Sequence, residues 1–384
     1  MALEEPIYLD MALREEFLTK SNYNPGVCYQ CGTCTATCPL NGIHEEKLTI
    51  RKILHKAQLG LQPDKLVWEC SSCKLCEVRC PRQVDIVGSF RMLRNYSYRR
   101  REMPKEFETL LWNILEESNP SGEAKSNRTD WMKGLNIKDA NDAKIMLYVG
   151  GSSSYDPRLQ KIARAMTSIM DVTKQDFGVL GKKEPSSGEA VLEIGDDAYL
   201  EHLVETNVEL FNKTSVEMIV PISPHSYNIM KHIYPQFGLE AEVMHYTEYL
   251  DMLWQQNKLK FKNNLDMNVT YHDPCYLGRY NGVFDEPRNL IEAIPGVVLT
   301  EMDETKSQAI CCGGGGNQIY RESESDVRLS DVRVKSAAET GATNMVTSCG
   351  YCIQNFEDSS KTTGKNIQIN DLIELINLST GGKI

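Results

Sequence analysis

Two cysteine runs with the same spacing constrain this sequence more than any other feature. Each run follows the pattern C-x2-C-x2-C-x3-C-P, and together they contain eight of the 13 cysteines. The first run contributes Cys28, Cys31, Cys34 and Cys38, and the second contributes Cys70, Cys73, Cys76 and Cys80. This spacing is specific to [4Fe–4S] cubanes, because structural zinc sites use pairs of cysteines or Cys with His.

The ligands of each cubane are expected to come from both runs. Three cysteines two residues apart wrap around one cube, and the fourth, which precedes a proline, points to the other cube. One cluster is therefore predicted to be held by Cys28, Cys31, Cys34 and Cys80. The other is predicted to be held by Cys70, Cys73, Cys76 and Cys38.

Length and charge narrow the setting of these clusters. A chain of 384 residues suggests two or three domains. The formal net charge of -11 argues against binding to nucleic acid or to an anionic membrane. No apolar run reaches the ~18 residues of a spanning helix, and the acidic N-terminal stretch lacks the apolar core of a signal peptide. We therefore expect a cytoplasmic protein without a membrane span, whose cysteines bind metal rather than form disulfides.

The chain divides into blocks of different pattern. Residues 1–118 hold the two runs and end in an amphipathic helix predicted over 104–118, whose apolar face contains Phe107, Leu110, Leu111, Ile114 and Leu115. Residues 119–143 are polar and are predicted to be a linker. Beyond residue 144, predicted strands at 144–149, 216–222, 268–272 and 343–348 alternate with helices such as 157–170. This alternation predicts an α/β domain with largely parallel sheets.

The remaining five cysteines form a second, widely spaced pattern. They are Cys275, Cys311, Cys312, Cys349 and Cys352. This pattern resembles the CCG domain of the heterodisulfide reductase family, and the whole layout resembles the fused form that joins its C-type and B-type subunits. The resemblance implies that the five cysteines bind a noncubane [4Fe–4S] cluster and form the catalytic site. The glycines of CCGGGGN are expected to let backbone N–H groups approach the cluster sulfurs.

Members of this type usually carry the CCG domain twice, and residues 144–260 contain a copy without cysteines. The segments YVGGSSSYDP, EPSSG and ISPHSYN lie at intervals that match the intact repeat at 261–384 to within one residue. The five ligand positions are occupied by Gly151, Ser186, Ser187, Ser223 and Ser226. Because serine is a poor iron ligand and glycine has no side chain, we expect a degenerate repeat without metal. The alternative is that these serines are ordinary loop residues; His225 in this segment is a weak signal for a ligand.

The expected fold is therefore an α+β, largely helical ferredoxin-like domain followed by a duplicated α/β CCG domain with two pseudo-symmetric lobes. The resemblance implies an oxidoreductase subunit in which two cubanes feed or drain one noncubane site. In the family, two noncubane clusters flank a disulfide, so a single one leaves open whether this site reduces a disulfide or only relays electrons. His272 and Asp273 either hydrogen-bond the sulfurs or handle a proton, or they simply close the end of a strand.

Two other functions remain open at this stage. The chain could be the iron–sulfur subunit of a flavin dehydrogenase for glycolate, lactate or glycerol 3-phosphate that passes electrons to a quinone or a partner. It could also be a scaffold whose CCG cysteines hold zinc. Since the sequence contains no flavin or nucleotide motif, the expected partner in a redox complex is a flavoprotein subunit, either heterodisulfide reductase A-like or electron-transferring flavoprotein-like.

Overall fold

The computed structural model describes residues 8–19, 24–43, 47–322 and 326–382. Its first part is helical, and the two cysteine runs lie in loops beside short helices. The α-helices are α1 (Met11–Thr19), α2 (Thr33–Thr37), α3 (Ile50–Gln58), α4 (Leu75–Val78), α5 (Ile86–Arg99) and α6 (Lys105–Glu117). Short 3₁₀ turns lie at Pro25–Val27, Pro39–Gly42 and Lys65–Glu69. Residues 1–7, part of the stretch that lacks signal-peptide features, lie outside the described residues.

The amphipathic pattern at 104–118 forms α6, as predicted. The helix buries Phe107, Leu110 and Ile114. Leu115, which the pattern placed on the same face, is 52% exposed. The buried stripe is thus narrower than the apolar face, because α6 packs on the rest of the molecule along one side only.

Residues 119–143 differ from the linker that their polar composition suggested. Trp131 is buried, and Arg128 is only 1% exposed. The Arg128 guanidinium lies 3.1 Å from the Glu184 carboxylate, so a charged residue is accommodated in the interior by pairing. The segment also contributes β1 (Lys138–Asp139) to the edge of a sheet. It is packed against the α/β region because its polar groups find buried partners that composition does not reveal.

The α/β region begins with a parallel sheet of order β1-β3-β2-β4-β5. Its other strands are β2 (Ile145–Tyr148), β3 (Phe177–Val179), β4 (Met218–Pro221) and β5 (Glu242–Val243). The accompanying helices are α7 (Gly150–Tyr155), α8 (Pro157–Val172), α9 (Glu189–Ile194), α10 (Asp197–Asn212), α11 (Pro224–His232) and α12 (Tyr246–Gln255). We call this unit the first half.

A second parallel sheet has the order β7-β6-β8-β9. Its strands are β6 (Met267–Tyr271), β7 (Val297–Leu299), β8 (Asn344–Thr347) and β9 (Gln368–Asp371). The helices of this second half are α13 (Gly278–Asn281), α14 (Asp285–Ala293), α15 (Leu329–Glu339), α16 (Gly350–Thr362) and α17 (Leu372–Thr380). Without β1, the first sheet reads β3-β2-β4-β5, which matches the second sheet strand for strand.

The two halves exchange their last helices. α12, which ends the first half, packs on α14 of the second, and α17, which ends the second half, packs on α8 of the first. Across this contact the Tyr246 hydroxyl donates to Asp371 at 2.8 Å, and Arg158 donates to the Glu374 carboxylate at 2.8 Å. Apolar residues of both sheets therefore share one continuous core. Within the described ranges, no helix is long and apolar enough to cross a membrane.

Candidate metal centres

The first cysteine run folds into a tight loop. Gln30 and Gly32, on either side of Cys31, have φ angles of 64° and 84°. Left-handed residues alternating with right-handed ones turn successive N–H groups to the same side and make an anion-binding concavity, as at many Fe–S sites. One cavity is lined by Cys28, Cys31, Cys34 and Cys80. These four cysteines, which we call the cubane-1 set, are those that the crossed assignment predicts.

The second run repeats this geometry. Ser72 and Lys74 stand at the positions of Gln30 and Gly32, with φ angles of 51° and 61°. Burial raises the pKa of Cys38, and the adjacent sulfurs of Cys70 and Cys73 raise it further. Cys38 thus lies beside the second run rather than with its own. The cubane-2 set is Cys38, Cys70, Cys73 and Cys76.

The two sets differ in exposure. Cys31 is exposed, and its neighbour Tyr29 is 59% exposed. In contrast, Cys70, Cys73 and Cys76 are buried. The cubane-1 set therefore lies at the surface, and the cubane-2 set lies inside.

The five remaining cysteines converge at the carboxyl ends of strands, where open parallel sheets place their ligands. Cys275 follows β6, and Cys349 follows β8 and is the N-cap of α16. All five are buried. The sulfurs of Cys312 and Cys352 are 3.2 Å apart, and hydrogen bonds from Cys311 and Cys352 lower the pKa of Cys312 to about 5. Burial raises the pKa of the neighbouring Cys352 instead, so metal binding is inferred from the convergence of the five sulfurs. We call these five cysteines the CCG site.

The glycine run after Cys312 has two roles. Gly313 has a φ of 88°, and its N–H lies 3.3 Å from the Cys311 sulfur, whereas the approach of such N–H groups to cluster sulfurs stays a prediction. A Cβ at Gly315 would lie 2.5 Å from the Ser71 carbonyl oxygen, and one at Gly316 would lie 2.3 Å from that of Cys70. The second role, close approach to the cubane-2 loop, could not be inferred from the motif alone.

This approach brings the cubane-2 set and the CCG site together. Cys73 and Cys311 lie so close that the contact between their thiols raises the pKa of Cys73. Arg279 spans the same junction, because its guanidinium donates to the Cys73 carbonyl and, at 2.6 Å, to the Ala309 carbonyl. The Tyr280 hydroxyl donates to the Ser72 carbonyl at 2.7 Å.

Two buried nitrogen atoms test whether a sulfur-rich group fits here. His272 Nε2 and Arg279 Nη2 have no hydrogen-bond partner among the residues that the structure describes. Arg333 Nε donates to His272 Nδ1 at 3.2 Å, which places the histidine proton on Nε2. A ring nitrogen of His272 lies within 4.8 Å of the sulfurs of Cys312 and Cys352. Buried N–H donors without acceptors fit a cluster whose sulfur atoms can accept hydrogen bonds.

Asp273 has a different role from its neighbour. Its carboxylate accepts from both Arg288 Nη atoms at 2.8 and 2.9 Å and from the Lys306 backbone N–H at 2.7 Å. Asp273 therefore closes the end of the strand, whereas His272 faces the cysteines. The sequence could not distinguish the roles of these two residues. In the structure, Asp273 is a structural residue and His272 is a hydrogen-bond donor.

The five positions that the sequence predicts to be former ligand positions also meet. A cavity of about 30 Å³ is lined by Gly151, Ser186, Ser187, Ser223 and Ser226. The Ser187 and Ser226 hydroxyl oxygens are 2.9 Å apart. Gly188 has a φ of 86°, and its N–H lies 3.3 Å from Ser186 Oγ, which reproduces the turn at Gly313. We call this cavity the silent site; its lining offers the Glu189 carboxylate and hydroxyl groups, which are harder donors than iron–sulfur clusters use.

A buried carboxylate that the sequence analysis missed joins the helical domain to the α/β region. Glu193 of α9 is 2% exposed, and it pairs with Arg91 and Arg94 of α5 and accepts from the Ser72 hydroxyl. Burial raises its pKa, but the two guanidinium groups outweigh this and lower the pKa to about 2. The partners are about 100 residues apart in the sequence, so no local motif marks them.

Two family models match this chain. The 4Fe-4S dicluster domain matches residues 27–85, and the cysteine-rich CCG domain matches residues 269–357. The two matches cover both cysteine runs and the five-cysteine pattern.

Curated relatives cover different parts of the chain. The probable iron-sulfur-binding oxidoreductase FadF of Bacillus subtilis is 33% identical over 82% of this chain and 47% of its own length. The EtfAB:quinone oxidoreductase of Syntrophomonas wolfei is 31% identical over 77% of this chain and 43% of its own length. The D-type subunit of the dihydromethanophenazine:CoB--CoM heterodisulfide reductase of Methanosarcina barkeri is 27% identical over 91% of this chain and 92% of its own length. The chain thus spans less than half of the first two relatives and nearly all of the third.

A solved structure shares the fold. The crystal structure of a hypothetical protein from Helicobacter pylori aligns with a TM-score of 0.58 at 11% identity, over 98% of this chain and 77% of that one. At this identity the likeness concerns the fold alone.

Proposed function

Because this chain belongs to the iron–sulfur oxidoreductases that join a 4Fe-4S dicluster domain to a CCG domain, with the D-type subunit of heterodisulfide reductase among its homologues, we propose that it is the electron-transfer subunit of such a complex. Two cubanes, held by the cubane-1 and cubane-2 sets, exchange electrons with one noncubane [4Fe–4S] cluster held by the CCG site. When bound, each group accepts and releases single electrons. The CCG site is the end that acts on a thiol or disulfide.

One observation carries this proposal: the contact between Cys73 and Cys311. It joins a ligand of the buried cubane to a ligand of the CCG site. The cubane-1 set, with the exposed Cys31, lies at the opposite end. The three sets therefore form an ordered series from the surface to the CCG site.

We also propose that the α/β region is a duplicated CCG domain, with units at 144–260 and 261–384. The matching strand orders, the exchanged helices and the equivalent turns at Gly188 and Gly313 support it. The structured segment 119–143 adds β1 to the first unit. On this proposal the silent site is a former cluster site.

The partner is a flavoprotein subunit, either heterodisulfide reductase A-like or electron-transferring flavoprotein-like. The exposed surface at Tyr29 and Cys31 is where it delivers or collects electrons. The Syntrophomonas relative is an EtfAB:quinone oxidoreductase. This similarity favours a second candidate function, an iron–sulfur subunit of a flavin dehydrogenase that relays electrons to a quinone. Reduction of a quinone but of no disulfide by the purified complex would favour this candidate.

The zinc alternative has one observation in its favour, since ligand atoms of His272, Cys312 and Cys352 lie within 4.8 Å of one another. Zinc binding would need a lone pair on His272 Nε2. Arg333 donates to Nδ1 and so leaves the proton on Nε2, which disfavours this ligand. Metal analysis separates the two: about twelve iron atoms per chain for three [4Fe–4S] clusters, or about eight with one zinc.

The order of the three sets can be tested with Cys38→Ser. Cys38 belongs to the first run but lies in the cubane-2 set, so its loss should interrupt the series between the surface and the CCG site. A protein donor should then still reduce cubane 1, whereas the noncubane signal should no longer respond. Unchanged reduction of the noncubane site in this variant would refute the series.

The chemistry at the end of the series can be tested by anaerobic titration of the oxidised protein with a thiol. A new paramagnetic signal that is absent in Cys312→Ser would support direct thiol chemistry at the CCG site. The absence of any signal, with normal electron transfer to a partner protein, would reduce the function to a relay.

A further inference from the structure

We propose that His225, a residue of the first half, is a positioning residue of the CCG site and donates an N–H hydrogen bond to the sulfur of Cys349. The inference rests on the proposed function, because it concerns the group that the CCG site holds. His225 stands between Ser223 and Ser226, inside the motif that has lost its cysteines.

The His225 ring is packed against the second half rather than free in the silent site. Its side chain is 5% exposed. The ring centroid lies 3.9 Å from that of Tyr276 in a stacked arrangement, and 4.7 Å from that of Tyr351. Tyr276 directly follows Cys275, and Tyr351 directly precedes Cys352. The imidazole therefore rests on the chain neighbours of CCG-site cysteines.

This packing places His225 in hydrogen-bond contact with Cys349. Cys349 lies two residues before Tyr351, at the start of α16, and its sulfur is a side-chain hydrogen-bond partner of His225. A cysteine sulfur that ligates iron can only accept a hydrogen bond, so the bond must use an N–H of His225. The neutral imidazole carries one such N–H. Hydrogen bonds to cluster sulfurs tune the reduction potential, and a donor makes the more negative, reduced state easier to reach.

The contact has a counterpart in the opposite direction. Tyr351 is the third residue of the segment CGYC, which runs from Cys349 to Cys352. His225 is the third residue of the corresponding segment SPHS, which begins at Ser223. The Tyr351 side chain lines the silent site, where its hydroxyl lies 2.6 Å from that of Tyr320 and 3.4 Å from Glu189. Each half thus sends its third motif residue into the site of the other. The first half lost its ligands but kept the helix that carries His225, which gives this metal-free half a role in the redox site.

The test compares two substitutions in the anaerobically reconstituted full chain. His225→Phe keeps an aromatic ring for the stack but removes the N–H, whereas His225→Gln keeps an N–H donor. His202→Phe, on the exposed side of α10, is the matched control. The readouts are the midpoint potential of each cluster, from redox titration followed by electron paramagnetic resonance, and the rate at which a chelator removes the noncubane iron.

We expect His225→Phe to shift only the noncubane potential to a more negative value and to speed the chelator reaction about tenfold, the lower end of the usual effect of such partners. His225→Gln should restore much of both, and His202→Phe should match the wild type. An unchanged noncubane potential in His225→Phe, equal shifts in the Phe and Gln variants, or equal shifts of all three clusters would overturn the inference. A wild-type protein without a noncubane signal would overturn the proposed function itself, so the two failures are distinguishable.

Discussion

The two halves of the α/β region have the same backbone plan and opposite chemistry. Both order their sheets in the same way, and both place a left-handed glycine after the paired motif residues, at Gly188 and at Gly313. In the second half this turn holds thiols, and in the first it holds the hydroxyls of Ser186 and Ser187. The comparison shows that the turn geometry does not depend on the ligand atoms, because it is set by glycine φ angles and strand ends.

The halves differ most in the segment after the turn. In the first half, α9 begins at Glu189 and carries Glu193 to the helical domain. In the second half, the chain continues as a glycine run, and Gly315 and Gly316 touch the cubane-2 loop. One half therefore anchors the cluster domain with a buried ion pair, whereas the other brings its ligands close to a cubane.

The largest expected difference between the halves is the effect on iron content of replacing Cys312 or the corresponding Ser187. Cys312→Ser should remove the noncubane cluster, about four iron atoms per chain, and should leave both cubanes reducible, since Cys312 belongs to neither cubane set. Ser187→Ala, the matching change in the silent site, should leave the iron content unchanged. Iron and sulfide analysis with paramagnetic resonance measures both. Loss of iron in the serine variant would show that the silent site binds metal after all.

The next largest effect is expected on the free energy of unfolding when Glu193, which pairs with the arginines of α5, is replaced. Glu193→Gln removes the partner of Arg94, whose side chain is 1% exposed, and a buried charge left unpaired costs about 3–5 kcal/mol. Denaturant unfolding under anaerobic conditions measures the loss. Glu201→Gln, on the exposed side of α10, serves as the control and should change the free energy of unfolding by less than about 0.5 kcal/mol.

The pH dependence of this anchor is set by the same ion pair. Because the arginines lower the pKa of Glu193 to about 2, against about 4.3 in an unfolded chain, its stabilisation is fully present above the unfolded value and is lost as the pH falls towards 2. The stability difference between the wild type and Glu193→Gln should therefore be constant above about pH 5 and shrink below it. A difference that grows in acid would contradict this assignment.

Sequence reasoning located features that repeat at short range. The strands at 144–149, 216–222, 268–272 and 343–348 are present within one or two residues, because buried parallel strands are short apolar runs. The prediction of a linker at residues 119–143 did not anticipate their packing, since the burial of Arg128 depends on Glu184, which is 56 residues away. The composition of a segment does not show which distant residue, such as Glu184, the fold brings into contact with it.

The same limit applies to the candidate sites. The thirteen cysteines were visible as motifs, and the structure brings each expected set together. The residues that connect the sets were not visible, because Arg279 and Glu193 belong to no motif and their partners come from other parts of the chain. The roles of Gly315 and Gly316 were likewise hidden, since a glycine run does not show which backbone it approaches.

A smaller effect is expected where the second half meets the cubane-2 loop. In Gly316→Ala, the alanine has to adopt the left-handed φ of 61° that Gly316 has. Its Cβ would also lie 2.3 Å from the Cys70 carbonyl oxygen. The φ angle alone costs about 1–2 kcal/mol, and the overlap adds to it. Gly341→Ala, at a φ of 77° with no atom within 4 Å of the new Cβ, is the control that isolates the overlap. Equal losses in the two variants, measured by denaturant unfolding, would mean that the loops move apart without cost.

The smallest expected effect concerns Ser223, which stands at a predicted ligand position of the first half. Ser223 is the N-cap of α11, and its hydroxyl accepts from the His225 backbone N–H at 3.3 Å. Ser223→Ala should therefore cost about 1 kcal/mol of unfolding free energy, and Ser223→Asp should restore it, because aspartate caps as well as serine does. Neither variant should change the iron content. If Ser223→Ala instead lowered the iron content without affecting stability, the hydroxyl would be acting as a ligand and the contrast between the halves would be lost. The expected result would show that the Ser223 hydroxyl keeps the helix end in place and, with it, the backbone that carries His225.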